Sequence, residues 1–309
     1  MAALIHSRWP ISVVILSFFL TACGGGDDIA STPAASAAPA ATAITIADVG
    51  FATPESVLHD EVADVYLVSN INGSPTEADG NGFISAVSPA GEVLALKWID
   101  GTTPGVTLNA PKGMAFADQA LYVADIDCIR IFDRRTGAPV GEACVDGASF
   151  LNDVAPAIDG GILFTDTGLD PSFAPSGTDA VYRRVDGEVT VVVADPGLGA
   201  PNGVIDTDDG ILVVTFMSGE VYRIDSTGGR AMLAPASQRQ LDGVVELDDG
   251  RILMSSWGDS CIYELSSDGT MECIVSDLEA PADIGVDRGR NRVLIPLFNA
   301  NAVRIQPIP

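Results

Sequence analysis

Histidine is nearly absent. The 309 residues include only His6 and His59, so no mechanism that needs several imidazoles is open to this chain. Cations are scarce as well, with Lys+Arg 16 against Asp+Glu 42 and a formal net charge of −26 at pH 7. Such a surface repels phosphates, and no nucleic-acid partner is expected. Aromatics make up 6% while hydrophobic residues reach 47%, so a core built mostly of Val, Ile, Leu and Ala is expected. No Gly-x-Ser-x-Gly elbow occurs, which removes the usual signature of a Ser-His-Asp hydrolase. The apolar run from Ile11 to Leu20 is too short to span a bilayer. Hardly any segment shows a helical period over a useful length.

What the N-terminal run does fit is a leader. Arg8 supplies a basic start, and Leu20-Thr21-Ala22-Cys23 reads as a bacterial lipobox. Residues 1–22 are therefore expected to be a lipoprotein signal peptide, with Cys23 lipidated. Residues 23–43 begin Gly24-Gly25-Gly26-Asp27-Asp28, continue with Ala, Pro, Ser and Thr, and read as a flexible tether. The expected location is the cell envelope, facing the periplasm and touching membrane through the lipid alone. Gly24 stands where an inner-membrane retention Asp would be, which favours the outer membrane. Export also predicts an oxidising compartment. Cys128 and Cys144 flank the turn Arg134-Arg135-Thr136-Gly137, and Cys261 and Cys273 flank Ser267-Asp268-Gly269. Hairpins would set each pair opposite near disulfide distance, so Cys128–Cys144 and Cys261–Cys273 bonds are predicted.

An internal repeat predicts the architecture. Pro111-Lys112-Gly113, Leu151-Asn152-Asp153, Pro201-Asn202-Gly203, Leu241-Asp242-Gly243 and Pro281-Ala282-Asp283 recur at spacings of 40, 50, 40 and 40 residues. Each opens an apolar strand, followed by a turn and a second strand such as Leu121 to Ala124 or Ile211 to Thr215. A third strand alternates, as in Val221-Tyr222-Arg223-Ile224, and a fourth follows, as in Val189 to Val193. Four short antiparallel strands per repeat predict a β-propeller blade, with a β-sandwich as the structural alternative. Pro54-Glu55-Ser56 opens an earlier blade, giving an all-β, six-bladed propeller over residues 44–309. The last blade stops after its third strand, Ala302 to Gln306, and Ala43 to Asp48 is expected to supply the fourth and close the ring.

In this geometry Glu55, Lys112, Asn152, Asn202, Asp242 and Ala282 ring the mouth of the central channel. Glu55 and Asp242 with Asn152 and Asn202 form a hard-oxygen set suited to Ca²⁺, and less strictly to Mg²⁺, Mn²⁺ or Zn²⁺. Taken singly, Asn and Asp are common turn residues at strand entrances; four at equivalent positions of different blades favour a cation. The long loops Asn70 to Gly82 and Asp166 to Ala180 would wall the same face, where Asp79-Gly80-Asn81-Gly82 reads as a solvated turn. Trp257 and Phe298 lie by shorter loops there, placed for ligand contact or for packing. His59 falls on the opposite face.

Pro54-Glu55-Ser56, Asn152-Asp153, Pro201-Asn202-Gly203 and Leu241-Asp242-Gly243, each opening a blade, resemble the senescence marker protein/gluconolactonase family. The resemblance implies that Glu55, Asn202 and Asp242 bind a divalent cation, with Asn152 at the same site touching metal-bound water or substrate. It implies lactone hydrolysis, with Asp242 and Glu55 as candidates for the general base. Sugar-lactone members carry an Arg two residues before the Asn of Asn-Asp, where this chain has Phe150, which points to a more apolar lactone or ester. Leu241 replaces the motif proline, a change that affects the turn more than the ligand. Lys112 is placed to neutralise an anionic substrate or to pair with Asp153. The alternative from another class is a non-catalytic, NHL-like propeller that binds a protein or glycan in the envelope. A monomer with a small-molecule ligand is expected.

Overall fold

The computed structural model describes residues 42–237 and 239–309. The expected signal peptide, Cys23 and all but the end of the tether lie outside them. The described chain forms six four-stranded antiparallel sheets, which excludes the sandwich. The innermost strands are Pro54–Asp60, Pro111–Ala117, Leu151–Pro156, Pro201–Thr207, Leu241–Glu246 and Gly285–Asp287. Consecutive inner strands lie side by side, and the first meets the last, so the sheets form a ring.

The hydrophobic pattern explains the ring. Second strands such as Ile162–Asp166 and Ile252–Ser256 are buried at every residue, so both sheet faces need a covering neighbour. Six apolar clusters meet that need, one between each pair of adjacent blades. One of them packs Tyr122, Ile129 and Ile131 of one blade against Leu151, Ile162 and Phe164 of the next. Outer strands such as Pro139–Cys144 are mostly exposed, polar edges. In the sixth sheet Ile44–Ile46 pairs with Ala302–Pro307, setting Ile44 opposite Ile305 and Ile46 opposite Val303. At the axis Ser56 bridges Asp283, whose N–H donates to the Glu55 carbonyl at 2.9 Å. The sixth motif still touches its own sheet, with Pro281 bridging Leu297 and Ala282 N donating to the Pro296 carbonyl at 3.1 Å, but regular inner pairing starts only at Gly285, later than Pro281-Ala282-Asp283 implied.

Five blades share a defect that positions the site. Pairing of the first two strands slips between Pro54 and Val57, Pro111 and Met114, Leu151 and Val154, Pro201 and Val204, and Leu241 and Val244. Each slip is a β-bulge over the second and third motif residues, a device that re-aims side chains. The second residue faces the channel mouth and the third meets the adjacent inner strand. A Cβ on Gly203 would fall 2.4 Å from the Asp242 carbonyl oxygen, and one on Gly243 would fall 2.4 Å from the Ile284 nitrogen. Glycine here permits the close approach of neighbouring blades.

Both predicted disulfides form. Cys128 and Cys144 face each other in register with Cα atoms 3.9 Å apart. Cys261 and Cys273 are not opposed: the pairing that runs from the turn puts Cys273 across from Tyr263, and the bond spans Cα atoms 6.0 Å apart. Loops of this length make each bond worth about 3 kcal/mol on the chain-entropy account.

Candidate active site

The five bulges bring Glu55, Lys112, Asn152, Asn202 and Asp242 to one cavity of about 440 Å³ at the channel mouth. Ala282, the sixth motif residue, is buried but does not line it. The two long loops form part of the wall, through Ile71, Gly73 and Pro75 on one side and Leu169 and Phe173 on the other. His59 lines a separate groove with Asp248, Asp287 and Arg288, away from this cavity.

Hydroxyl relays between blades hold the floor. Asn152 Nδ2 donates to Thr167 Oγ1 at 2.9 Å, and that hydroxyl donates to the Pro201 carbonyl at 2.9 Å. Thr165 Oγ1 accepts from Asp153 N at 3.1 Å and donates to the Asn202 carbonyl at 2.7 Å. Ser255 repeats the pattern between Gly243 N and the Ala282 carbonyl, at 2.8 and 2.7 Å. The motif residues are therefore tied to the next blade as well as to their own sheet.

Three oxygens on the floor are left over. Glu55 Oε2, Asn202 Oδ1 and Asp242 Oδ1 are buried without any hydrogen-bond partner. A buried acceptor left unpaired costs roughly 1–3 kcal/mol, so three together call for a compensating group. Burial first, then Asp242 and Asp283, push the Glu55 carboxyl well above its usual range, against the pull of Lys112. Asp242 is pushed up to about 8 by burial and by Asp153, although Trp257 and Asn202 beside it oppose the shift. Deeper in the channel, Asp153 accepts from Val154 N and Val204 N, both at 2.7 Å, and Asp283 accepts from Ser56 Oγ at 2.5 Å. Burial still lifts Asp153 to about 6, and burial with Asp153 and Asp242 lifts Asp283.

Crowded carboxylates and orphaned oxygens fit a hard divalent cation held by Glu55, Asn202 and Asp242. Among the described residues no three Asp, Glu, His or Cys side chains converge as ligands. The set is instead two carboxylates with amide oxygens, which leaves positions for water or substrate. Lys112 does not pair with Asp153: among the described residues no carboxylate lies within 4.0 Å of its ammonium. It donates to the Ala110 carbonyl at 3.2 Å and stands 4.6 Å from the centre of the Phe150 ring. Burial lowers its proton affinity, and Glu55, Asp125 and Asp166 restore part of it.

Sequence reasoning placed Trp257 and Phe298 on this face but missed Phe216 beside them. Phe216 packs edge-on to Trp257 at 5.6 Å, and Trp257 lies 4.9 Å from Phe298. Each is the first residue beyond the second strand of its blade, as are Ile71 and Thr167. The backbone N–H at that position donates to the carbonyl of the residue just before the motif: Phe216 to Ala200, Trp257 to Gln240 and Phe298 to Ala280. The signal was a residue 14 to 16 places after the motif centre, aromatic in three successive blades.

No family model matches the chain, and no curated protein matches its sequence. Solved structures do match its fold. A gluconolactonase from Xanthomonas campestris is 21% identical over 86% of this chain and 89% of its own, with a TM-score of 0.65. The calcium-binding protein regucalcin from Agrobacterium tumefaciens is 16% identical over 84% and 90%, with a TM-score of 0.62. Virginiamycin B lyase from Staphylococcus aureus is 12% identical over 87% and 99%, with a TM-score of 0.59. At these identities the likeness establishes the propeller ring; the chemistry rests on the residues of this chain.

Proposed function

We propose that the protein is a divalent-cation-dependent hydrolase of a lactone or related ester. Its place is the cell envelope, where it is tethered through Cys23, faces the periplasm and works as a monomer on a small molecule. The observation that carries the reading is the convergence of three partnerless buried oxygens, from Glu55, Asn202 and Asp242, on the floor of a concave cavity. The fold shared with a gluconolactonase and with calcium-binding regucalcin supports it. A concave pocket also favours a small substrate over the flat platform that an NHL-like binding module would present.

A bound cation supplies Lewis acidity and offsets the carboxylate charge. Asp242 takes the proton of the attacking water. Its buried carboxylate at the cavity floor is placed to accept that proton, as a general base requires. Glu55 shares the charge and holds the second side of the floor. Asn152, fixed by Thr167, orients the substrate oxygen. Lys112, which lacks a carboxylate partner, offers positive charge to the oxygen that gains charge as the ring opens.

The test is turnover of a lactone panel by the full chain, with and without chelator, beside Asp242→Ala. Turnover that disappears with chelator and falls at least a hundredfold in the variant is the expected result. No turnover of any lactone with metal present would instead favour the non-catalytic binding module.

A further inference from the structure

Two facing walls rise above the polar floor, and both are carbon. Phe150 and Phe173 form one, with ring centres 6.4 Å apart. Phe216, Trp257 and Phe298 form the other. Phe173 is 52% exposed and Met217 is 52% exposed, so large apolar side chains stand at the rim as well. Phe173 is not there by default. Its backbone is left-handed at φ 60°, which is unusual for a bulky residue and is held by a tight turn. In that turn Asp170 Oδ1 accepts from Ser172 N at 2.8 Å and Ala174 N at 3.0 Å, and Phe173 N donates to the Asp170 carbonyl at 2.8 Å.

One polar atom interrupts the second wall. Trp257 Nε1 is buried and makes no hydrogen bond of good geometry; the acceptor within its reach is the Asp242 carboxylate, whose proton affinity the indole lowers. Clamped between Phe216 and Phe298, the indole has little freedom to turn that N–H elsewhere. An indole N–H donates only, so with the Asp242 carboxylate turned to a cation it would need an acceptor from the substrate. A polyhydroxylated sugar lactone would leave several hydroxyls against apolar rings, each needing a partner.

We infer that Trp257 is a specificity-determining donor to a substrate oxygen, and that the substrate is an uncharged lactone or ester bearing an aryl or alkyl substituent gripped between the two aromatic walls. The inference rests on the hydrolase reading and names its substrate class.

Lactams resist hydrolysis and report binding without turnover. Calorimetry on the full chain with calcium present would compare a phenyl-substituted six-membered lactam with gluconolactam. The wild-type protein is expected to bind the phenyl lactam at least tenfold more tightly. Trp257→Phe keeps the ring packing but removes the donor, and it should weaken phenyl-lactam binding about tenfold; Phe173→Ala should weaken it without touching the donor. Nitrogen-15 labelling of tryptophan reads the same bond in the unmutated protein, where one indole N–H resonance should shift downfield on adding the phenyl lactam. Unchanged affinity in Trp257→Phe, or no indole shift, overturns the donor role. Gluconolactam binding as tightly as the phenyl lactam, or no binding of either, overturns the substrate class. Lactone turnover that fails while these binding results hold counts against the hydrolase reading alone.

Discussion

Two buried aspartates show how position decides what a carboxyl does. Asp242 lies among other acids with an oxygen unpaired, and its proton affinity rises. Asp287, at the other end of the channel, is just as hidden from solvent but receives Tyr66 Oη at 2.6 Å, Arg290 N at 3.0 Å and Arg290 Nη1 at 3.0 Å. Burial pulls its proton affinity up, yet these donors win and hold it below the ordinary carboxylate range. Tyr66 shows the reciprocal effect, pushed up to about 12 by burial and by Asp287. A folded value below the unfolded one gives stability that is fully present above the unfolded value near 4 and lost as pH falls through the folded one. Asp287→Asn should therefore cost about 2 kcal/mol at pH 7, as removal of a charged acceptor does. Thermal melts of both proteins from pH 7 down to pH 2.5 should show the gap closing below about pH 4; a gap that persists there would mean the charge is not what stabilises.

At the scale of the element, the bulge does the positioning. A regular strand would alternate the motif side chains between the sheet faces; the slipped register sends the second residue to the axis and seats the third against the next blade. Gly203→Ala tests that seat. Its new methyl would meet the Asp242 carbonyl at 2.4 Å, and backbone has no rotamer by which to give way. A loss of about 1–3 kcal/mol is expected in urea titration, together with weaker calcium-dependent stabilisation. Wild-type stability and an unchanged response to calcium would show that the blades are not so tightly apposed. The motif was legible because the bulge demands small or polar residues at a fixed place in every repeat. Of the aromatic wall, Trp257 and Phe298 were legible on that face, for ligand contact or for packing; Phe216 was not, since it reads as an ordinary core residue until the mouth-facing end of its second strand is known. Of the two roles read for Lys112, the ion pair with Asp153 does not form, for a related reason. Its ammonium lies over Phe150 and on a backbone carbonyl, partners that no spacing rule proposes. The offset of Cys261 and Cys273 was present in the sequence, since Cys261 stands two residues farther from Asp268 than Cys273 does and the pairing is regular from the turn to Tyr263–Cys273.

For the whole molecule, closure turns distant sequence into one site. Five blades each contribute one motif side chain to the mouth, and the ring that gathers them is shut at Ser56 and Asp283 inside and at Ile44–Ile46 outside. The period of the repeat and the missing last strand made that circuit readable; the contents of the cavity between the long loops needed coordinates. Closure also concentrates acid: Glu55, Asp153, Asp242 and Asp283 crowd the channel, and Lys112 offsets the charge at Glu55. A ring assembled this way should take up a divalent ion wherever oxygens are left unpaired. Calcium titration by calorimetry, on chelator-treated full chain and on Glu55→Gln and Asp242→Asn, tests this most directly. One ion per chain in the wild-type protein, with binding lost in both variants, is the predicted result; a wild-type protein that takes up no divalent ion, or variants that bind it equally well, would contradict the account.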